Sequence, residues 1–467
     1  MRMSKMNDVL SKKESERRLF VLEDNMWKVV LAISIPLALY NGFNHLFSVL
    51  DTLMASQISS EVVSAVAYLS QIKIMFTAIG TGLSVSGGII VARCYGAGDI
   101  KKARKYVNTL FFMAFAIGLF VLVTIVPFTK PILRFANTPA ELIDIGSTYF
   151  AIEIIVIISM FINNVYIAVE KAKGNTKAIL YLNLMVIGIK LSLTALFIYV
   201  FHWGITAMAI ATLLSHFFLT VVAFYDLLRV DNIFRLSIKE VHLSFVFVKP
   251  IIFLATPIFF ERFAFSFGKV IVNSMSGAYG VMVIGALNIS NHIAGIINGL
   301  GNGFQDGEAS IISQNMGNQN YERAIDGFKK TLIITVVIAL GGFIMMSIFM
   351  DPIIGLFAKG DIAFAREIKN IFKYERHTFI TLAVSASVMG LLYGLGHTRL
   401  ALIINFIRLF LFRIPTLYLL QKFTNLGSES VGIAMMVSNG LVGLTAAIVG
   451  FVIIRDLKRK KECVLGF

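Results

Sequence analysis

VARCYGAGDIKKAR, residues 91–104, returns in altered form as ISQNMGNQNYERAI, residues 312–325, so that Gly96 pairs with Gly317 and Ala103 with Ala324. At the same spacing of 221 residues Pro36 pairs with Pro257 and Pro131 with Pro352. Further on, GNTKAILYLN at 174–183 matches GHTRLALIIN at 396–405 with a spacing of 222. The landmarks keep their order across separate segments, which is the signature of a duplicated unit rather than of chance similarity.

What is duplicated follows from the sequence around these landmarks. Hydrophobic residues make up 57% of the 467 and charged residues 15%, which excludes an ordinary soluble domain. Apolar runs long enough for a ~30 Å hydrocarbon core fall near 27–52, 62–91, 106–129, 144–169, 178–201, 204–228, 248–275, 281–313, 328–350, 374–394, 399–422 and 430–455. The spacing therefore predicts an all-α polytopic membrane protein of twelve transmembrane helices. They form two six-helix bundles, because each copy of the repeat holds six runs. Six crossings return the chain to its starting side, so the copies share one orientation about a pseudo-two-fold axis along the membrane normal.

The expected organisation is a cytoplasmic N-terminal segment at 1–26, bundles at 27–228 and 248–455, a polar linker at 229–247 (RVDNIFRLSIKEVHLS is its body) and a basic tail at 456–467. Residues 1–26 are polar and mixed in charge, and no cleavable signal is expected. The net charge of +15 could suggest nucleic acid, but most of the 42 Lys and Arg lie in alternate connections and at the two ends. That bias puts both termini in the cytoplasm and needs no nucleic-acid partner. The five basic residues of 351–376 fall on the opposite side, where an amphipathic helix lying in the interface is expected. Cys94 and Cys463 both fall at cytoplasmic ends and support neither a disulfide nor a zinc site.

IPLALYNGFNHLFSVLDTLMAS at 35–56, the YGAGDIKKA and MGNQNYERA turns, GITAMAIAT at 204–212 and RIPTLYLL at 413–420 together resemble the multidrug and toxic compound extrusion (MATE) transporters, over nearly the whole chain. The resemblance implies two bundles around a V-shaped cavity, with H+ or Na+ as coupling ion, exchanged for export of an organic compound that is often a lipophilic cation. The wider superfamily includes flippases of lipid-linked precursors. Asp51 matches the first-span aspartate that family members use for coupling, and Glu261 in PIFFERF matches a seventh-span acid of some members. Where the family often reads Asn, with Asp four residues on, this chain has Lys190 and Thr194, and a tenth-span acid aligns with Leu382.

Charges inside spans face protein or water, because a lysine stem cannot reach the interface from ~15 Å away. Lys73, Glu153 and Lys190 lie 8–12 residues inside their spans, roughly 12–18 Å deep. Two acids, Asp51 and Glu153, thus meet two bases. Lys190 either supplies, in covalent form, the charge that a bound sodium would supply near Asp51, or forms a fixed bridge to Glu153. In the second half Lys269 lies about 80° round the helix from Glu261, so that both can border one cavity. Arg408 and Arg413 also lie within a span, and Arg413 precedes Pro415, whose kink would free carbonyls for it. Asp306 and Glu308 are expected in a solvated vestibule. Asn163 and Asn164 either line the cavity or bond between helices. His45, His216 and His292 read as packed imidazoles before proton relays.

Ion coupling is accordingly placed on Asp51, Lys190, Glu261 and Glu153, and the substrate cavity on Lys73, Asn163, Asn164, Thr194, Lys269 and Arg413. No metal site, organic cofactor or nucleotide is expected, since no GxxxxGK[ST] occurs. An intramembrane enzyme would need a clustered nucleophile or metal motif, and the sequence has none. The expected partners are a small organic substrate and membrane lipid, with a monomeric chain in the plasma membrane. The near balance of intramembrane charge keeps anionic and zwitterionic amphiphiles open as substrates, and a flippase for such a precursor is the alternative. A channel would require rings of side chains from an oligomer.

Overall fold

The computed structural model describes residues 12–55, 60–135, 140–358 and 360–465. Helices run, in order, α1 (Lys12–Glu23), α2 (Met26–Ala55), α3 (Ser60–Gly96), α4 (Ile100–Ile125), α5 (Thr129–Phe135), α6 (Ala140–Ala172), α7 (Thr176–Ala195), α8 (Ile205–Leu228), α9 (Phe245–Ser276), α10 (Val281–Gly317), α11 (Tyr321–Ile348), α12 (Met350–Ala358), α13 (Ile362–Glu375), α14 (Phe379–Leu395), α15 (Thr398–Phe406), α16 (Ile414–Phe423) and α17 (Glu429–Leu465). Among the described residues they supply twelve stretches long and apolar enough to span a membrane, and no strand.

The duplication is written into the backbone of the turns. Gly98 at φ 77° and Gln319 at φ 58° occupy the same left-handed position. Asp99 and Asn320 then cap the following helices, their side chains accepting from the amides of Lys102 at 3.0 Å and Arg323 at 3.1 Å. The amides of Asp99 and Asn320 return to the carbonyls of Cys94 and Asn315 in the same closure. Gly174 at φ 76° and Gly396 at φ 80° repeat the agreement one hairpin later. A C-terminal αL residue followed by a capping side chain is how a short turn stops one helix and starts the next. The motifs survive because the two turns need the same geometry.

Two compact units result, but they do not follow the chain order that the sequence predicts. One comprises Met1–Glu23 and Leu46–Phe259, the other Asp24–His45 and Phe260–Phe467. The reason lies in small residues. In the second unit Gly299, Gly303 and Gly307 repeat every four residues on α10, and a Cβ on Gly303 would lie 2.2 Å from the Ala38 backbone. Such a groove lets helix backbones meet at van der Waals range, which is what drives helix association in lipid. In the first unit Gly82 of α3 receives Ala255 and Phe259 of α9 in the equivalent way, a Cβ there falling 2.8 Å from the Ala255 carbonyl oxygen. Each helix that opens a repeat is therefore shared out by its packing.

Within the first unit the core is built on Tyr95, Leu110, Phe150 and Phe161, all fully buried. The expected linker is a strap on this unit. Asn108 donates to the Arg235 carbonyl at 3.3 Å and accepts from the Ser237 amide at 2.7 Å, while Thr109 exchanges hydrogen bonds with the His242 backbone. Helix α1 docks beside it through Arg18, which donates to the Tyr95 and Gly96 carbonyls at 2.9 and 2.7 Å. These carbonyls close the C-terminal end of α3, where the helix dipole favours a cation. Burial holds the Arg18 guanidinium below its ordinary pKa.

In the second unit the core centres on Phe372, Phe379, Leu409 and Leu417. Helix α13 corrects the expectation of an interfacial helix at 351–376. Its Ile368, Ile371, Phe372 and Glu375 are buried, and Gly432 of α17 receives it so closely that a Cβ would stand 2.7 Å from the Ile371 carbonyl. Its apolar stripe faces protein, and α13 continues through α14 as one long span. Its basic face is met by acids: Lys373 pairs with Glu429 at 2.7 Å and Lys369 with Asp351 at 2.7 Å.

Candidate functional site

In the first unit Glu153 of α6, 3% exposed, lies deep in its span and pairs with Lys73 of α3, whose side chain is 21% exposed. Lys73 and the half-buried Lys190 of α7 both lie within coulombic reach of His216 on α8. The Nδ1 atom of His216 is buried with no partner among the described residues. Asn163 sits beside this group, but its side chain spans the α6–α8 contact. It donates to the His216 carbonyl at 2.9 Å and accepts from the Thr220 hydroxyl at 3.0 Å. At 2% exposure it is an inter-helix bond. Thr194 is fully buried with its hydroxyl unpartnered among the described residues, and Asn164 is half-buried. Asp51 falls within α2, but its side chain lies outside the described residues.

Glu261 organises the second unit. Although it sits on α9 it is 4% exposed, because Tyr393 of α14 and Asn405 of α15 close over it, donating to its two carboxylate oxygens at 2.7 and 2.8 Å. Both donors are neutral, and no basic group comes within ion-pair distance among the described residues; the exposed Arg262 acts on it from farther away. Neither donor was singled out in the sequence, although Asn405 is the repeat partner of Asn183 in the 222-residue match.

Lys269 belongs to a different group of contacts from Glu261. Two turns of α9 carry it away to a second cluster, with Phe265 between. The Lys269 ammonium lies 5.1 Å and the Arg408 guanidinium 5.5 Å from the Phe265 ring. Arg408 is the second and Arg413 the last residue of a π-helical stretch, Ile407–Arg413, that ends just before Pro415. The widened turn is the local answer to a proline with no amide to donate. Among the described residues Arg413 binds no freed carbonyl. It donates to the Ser438 hydroxyl at 3.0 Å and to the Asn439 side-chain oxygen at 2.6 Å, and Arg408 donates twice to the same oxygen, at 3.1 and 2.8 Å. Glu375, 3% exposed, faces the three cations at coulombic range while accepting a hydrogen bond from Ser290. Glu375 lies one heptad from Ile368 on the buried stripe of α13, a register that could have revealed it. His45 and His292 also lie within coulombic reach of Lys269.

Glu308 overturns the expectation of a solvated vestibule. It is fully buried, and neither carboxylate oxygen has a partner among the described residues. Gly390 of α14 is the reason: a Cβ there would stand 2.9 Å from the Glu308 carboxyl, so only a glycine lets α14 close this far over α10. Asp306, two residues earlier, remains half-buried. Among the described residues no group of three His, Cys, Asp or Glu side chains gathers as a metal site would require.

A duplicated helical membrane protein with separate buried charge clusters in its two units is the build of a carrier. The MatE family profile matches residues 36–196 and 257–419, one match in each repeat, and the chain belongs to that family. It is 23% identical over 421 residues, 89% of this chain and 93% of the relative, to the probable multidrug resistance protein YpnP of Bacillus subtilis. To the probable multidrug resistance protein NorM of Thermotoga maritima it is 22% identical, covering 88% of this chain and 89% of that one. A crystal structure of MATE in complex with MaL6 superimposes with a TM-score of 0.90 at 19% identity, covering 94% of this chain and 99% of the other. An outward-facing MATE transporter of the MOP superfamily gives 0.90 at 18%, covering 96% and 99%. At these identities the solved structures establish the fold.

Proposed function

We propose that the chain is a secondary antiporter that exports small organic compounds in exchange for H+ or Na+, with access alternating between the two sides of the plasma membrane. In this reading it works as a monomer with both termini in the cytoplasm, in contact with lipid and with no nucleotide. Family membership and the names of its relatives as multidrug resistance proteins support export of drug-like compounds. The observation that carries ion coupling is Glu261, a buried carboxylate held by two neutral donors. A carboxylate so held can exchange its counter-ion, whereas one fixed to a lysine cannot without breaking the pair. In the first repeat the coupling is assigned to Asp51 and Lys190, with Lys190 standing in for a bound cation.

The test is efflux of a fluorescent organic compound from energised vesicles, with sodium and proton gradients imposed separately. Wild type should respond to one gradient, and Glu261→Gln should lose that response while still folding. Lys190→Asn should increase sodium dependence. Folded wild type that moves nothing under either gradient would sink the reading.

The second reading, a flippase for a lipid-linked or anionic amphiphilic precursor, is favoured by one observation, the excess of basic over acidic side chains around Phe265. A superfamily transporter from Pyrococcus furiosus, with a TM-score of 0.90 to this chain at 18% identity, is described as having a binding pocket of reverse polarity that suggests a different function.

A further inference from the structure

We infer that the second unit holds a site for the head group of an organic anion (a carboxylate, phosphate or sulfonate on an apolar body), built from Lys269, Arg408 and Arg413 around Phe265. The inference deepens the export reading by giving the substrate a charge, and rests on that reading only for the direction of movement.

Three cations face one acid, Glu375, which is itself engaged by Ser290. Among the described residues none of the three has a carboxylate within ion-pair distance. The two guanidiniums instead converge on a single neutral acceptor, the Asn439 side-chain oxygen. Depth makes this arrangement costly. Lys269 lies ten residues from the end of the Phe245–Tyr279 span, and Arg408 and Arg413 lie at the centre of Thr398–Phe423. That is about 15 Å inside, where an uncompensated charge is strongly disfavoured. Buried cations normally find acids of their own, so a cluster left positive implies a negative charge supplied from outside.

The chemistry of the groups narrows that charge further. Guanidinium forks match the oxygens of carboxylate and phosphate, and an ammonium adds a point charge. Exposure is graded, from exposed Lys269 through half-buried Arg408 to Arg413 at 4%, so an anion meets the lysine first and the hydrogen-bonded arginine last. Asn439 also donates to Thr378 at 3.2 Å, which fixes its orientation and with it both guanidiniums. The apolar body has aromatic surface at hand in Phe265, which lies against both Lys269 and Arg408. A lipophilic cation, by contrast, would meet three like charges and one acid.

The experiment uses the purified full chain in neutral detergent. Binding of hexyl phosphate, below its micellar concentration, is measured by the shift in thermal unfolding and by calorimetry. Hexyltrimethylammonium and inorganic phosphate serve as competitors. Wild type should bind hexyl phosphate saturably. Lys269→Gln and Arg408→Gln should each weaken it on the order of tenfold, the worth of one charge-assisted hydrogen bond, and Lys269→Arg should keep it. Competition by inorganic phosphate would assign the site to free anions, and failure to compete would assign it to amphiphiles; either keeps an anion site. Equal competition by the ammonium, no binding of either phosphate, or unchanged affinity in a folded Lys269→Gln protein would overturn it. Lys269 is exposed, so that variant should fold even if Arg408→Gln does not. Ion-driven efflux is read separately: binding with no transport would remove the export reading and leave the site.

Discussion

Replacing Lys73 by methionine should destabilise the first unit by about 3–5 kcal/mol, the cost of stranding a buried charge. Replacing Glu153 by glutamine should cost distinctly less. The asymmetry comes from the two exposures: Glu153 at 3% has no path to water once its partner is gone, whereas Lys73 at 21% can still swing its ammonium toward solvent. At a contact of about 2.8 Å and an effective dielectric constant of about 20, the attraction is roughly 6 kcal/mol, which desolvation of the two ions largely offsets. The double variant Lys73→Met, Glu153→Gln removes both charges and should recover most of what the first single change loses. Unfolding of the purified protein, followed by tryptophan fluorescence and compared across the four-member cycle, gives the coupling energy directly. A Lys73→Met loss below about 1 kcal/mol, or a double variant no better than that single one, would refute the argument that Glu153 is a buried ion held by Lys73.

Gly390→Ala would push a methyl to 2.9 Å from the Glu308 carboxyl and 3.0 Å from the Gln305 carbonyl oxygen. It should cost about 1–3 kcal/mol of stability by overpacking, read as a lower melting temperature, and Glu308→Ala on top of it should relieve part of the loss. Gln319→Gly should raise stability by roughly 0.5–1 kcal/mol, because a non-glycine residue at φ 58° pays for its left-handed backbone; glycine already fills the equivalent Gly98. Arg18→Ala leaves the carbonyls of Tyr95 and Gly96 without their cation. It should cost about 1–3 kcal/mol and expose α1 to limited proteolysis before the spans unfold.

The site was only partly legible in the sequence. Glu261 and Lys269 stand out because any charge in an apolar run does, and their positions along α9 follow from helical rise alone. Their separation into different clusters depends on which side chains arrive from α14, α15 and α17. Tyr393, Asn405 and Asn439 are common residues in membrane helices and carry no pattern of their own. Asn163 shows the same limit, since an amide that bonds between helices and one that lines a cavity read alike until Thr220 and the His216 carbonyl are placed beside it. Glu375 was obscured by the opposite effect, because the basic residues around it made α13 read as a helix lying on the membrane.

Length, hydropathy and the repeat determined twelve spans in two repeated sets, because crossing a bilayer fixes how many apolar residues a helix needs and a turn fixes where glycine and a capping side chain must fall. Those are local demands, met within one helix or one turn. The grouping of Asp24–His45, most of it α2, with the second unit and of α9 as far as Phe259 with the first was decided by tertiary structure. So were the burial of Glu308 under Gly390 and the convergence of two arginines on Asn439. Each depends on how closely two helix backbones approach, and that distance is set by pairs of residues hundreds of positions apart, such as Ala38 and Gly303.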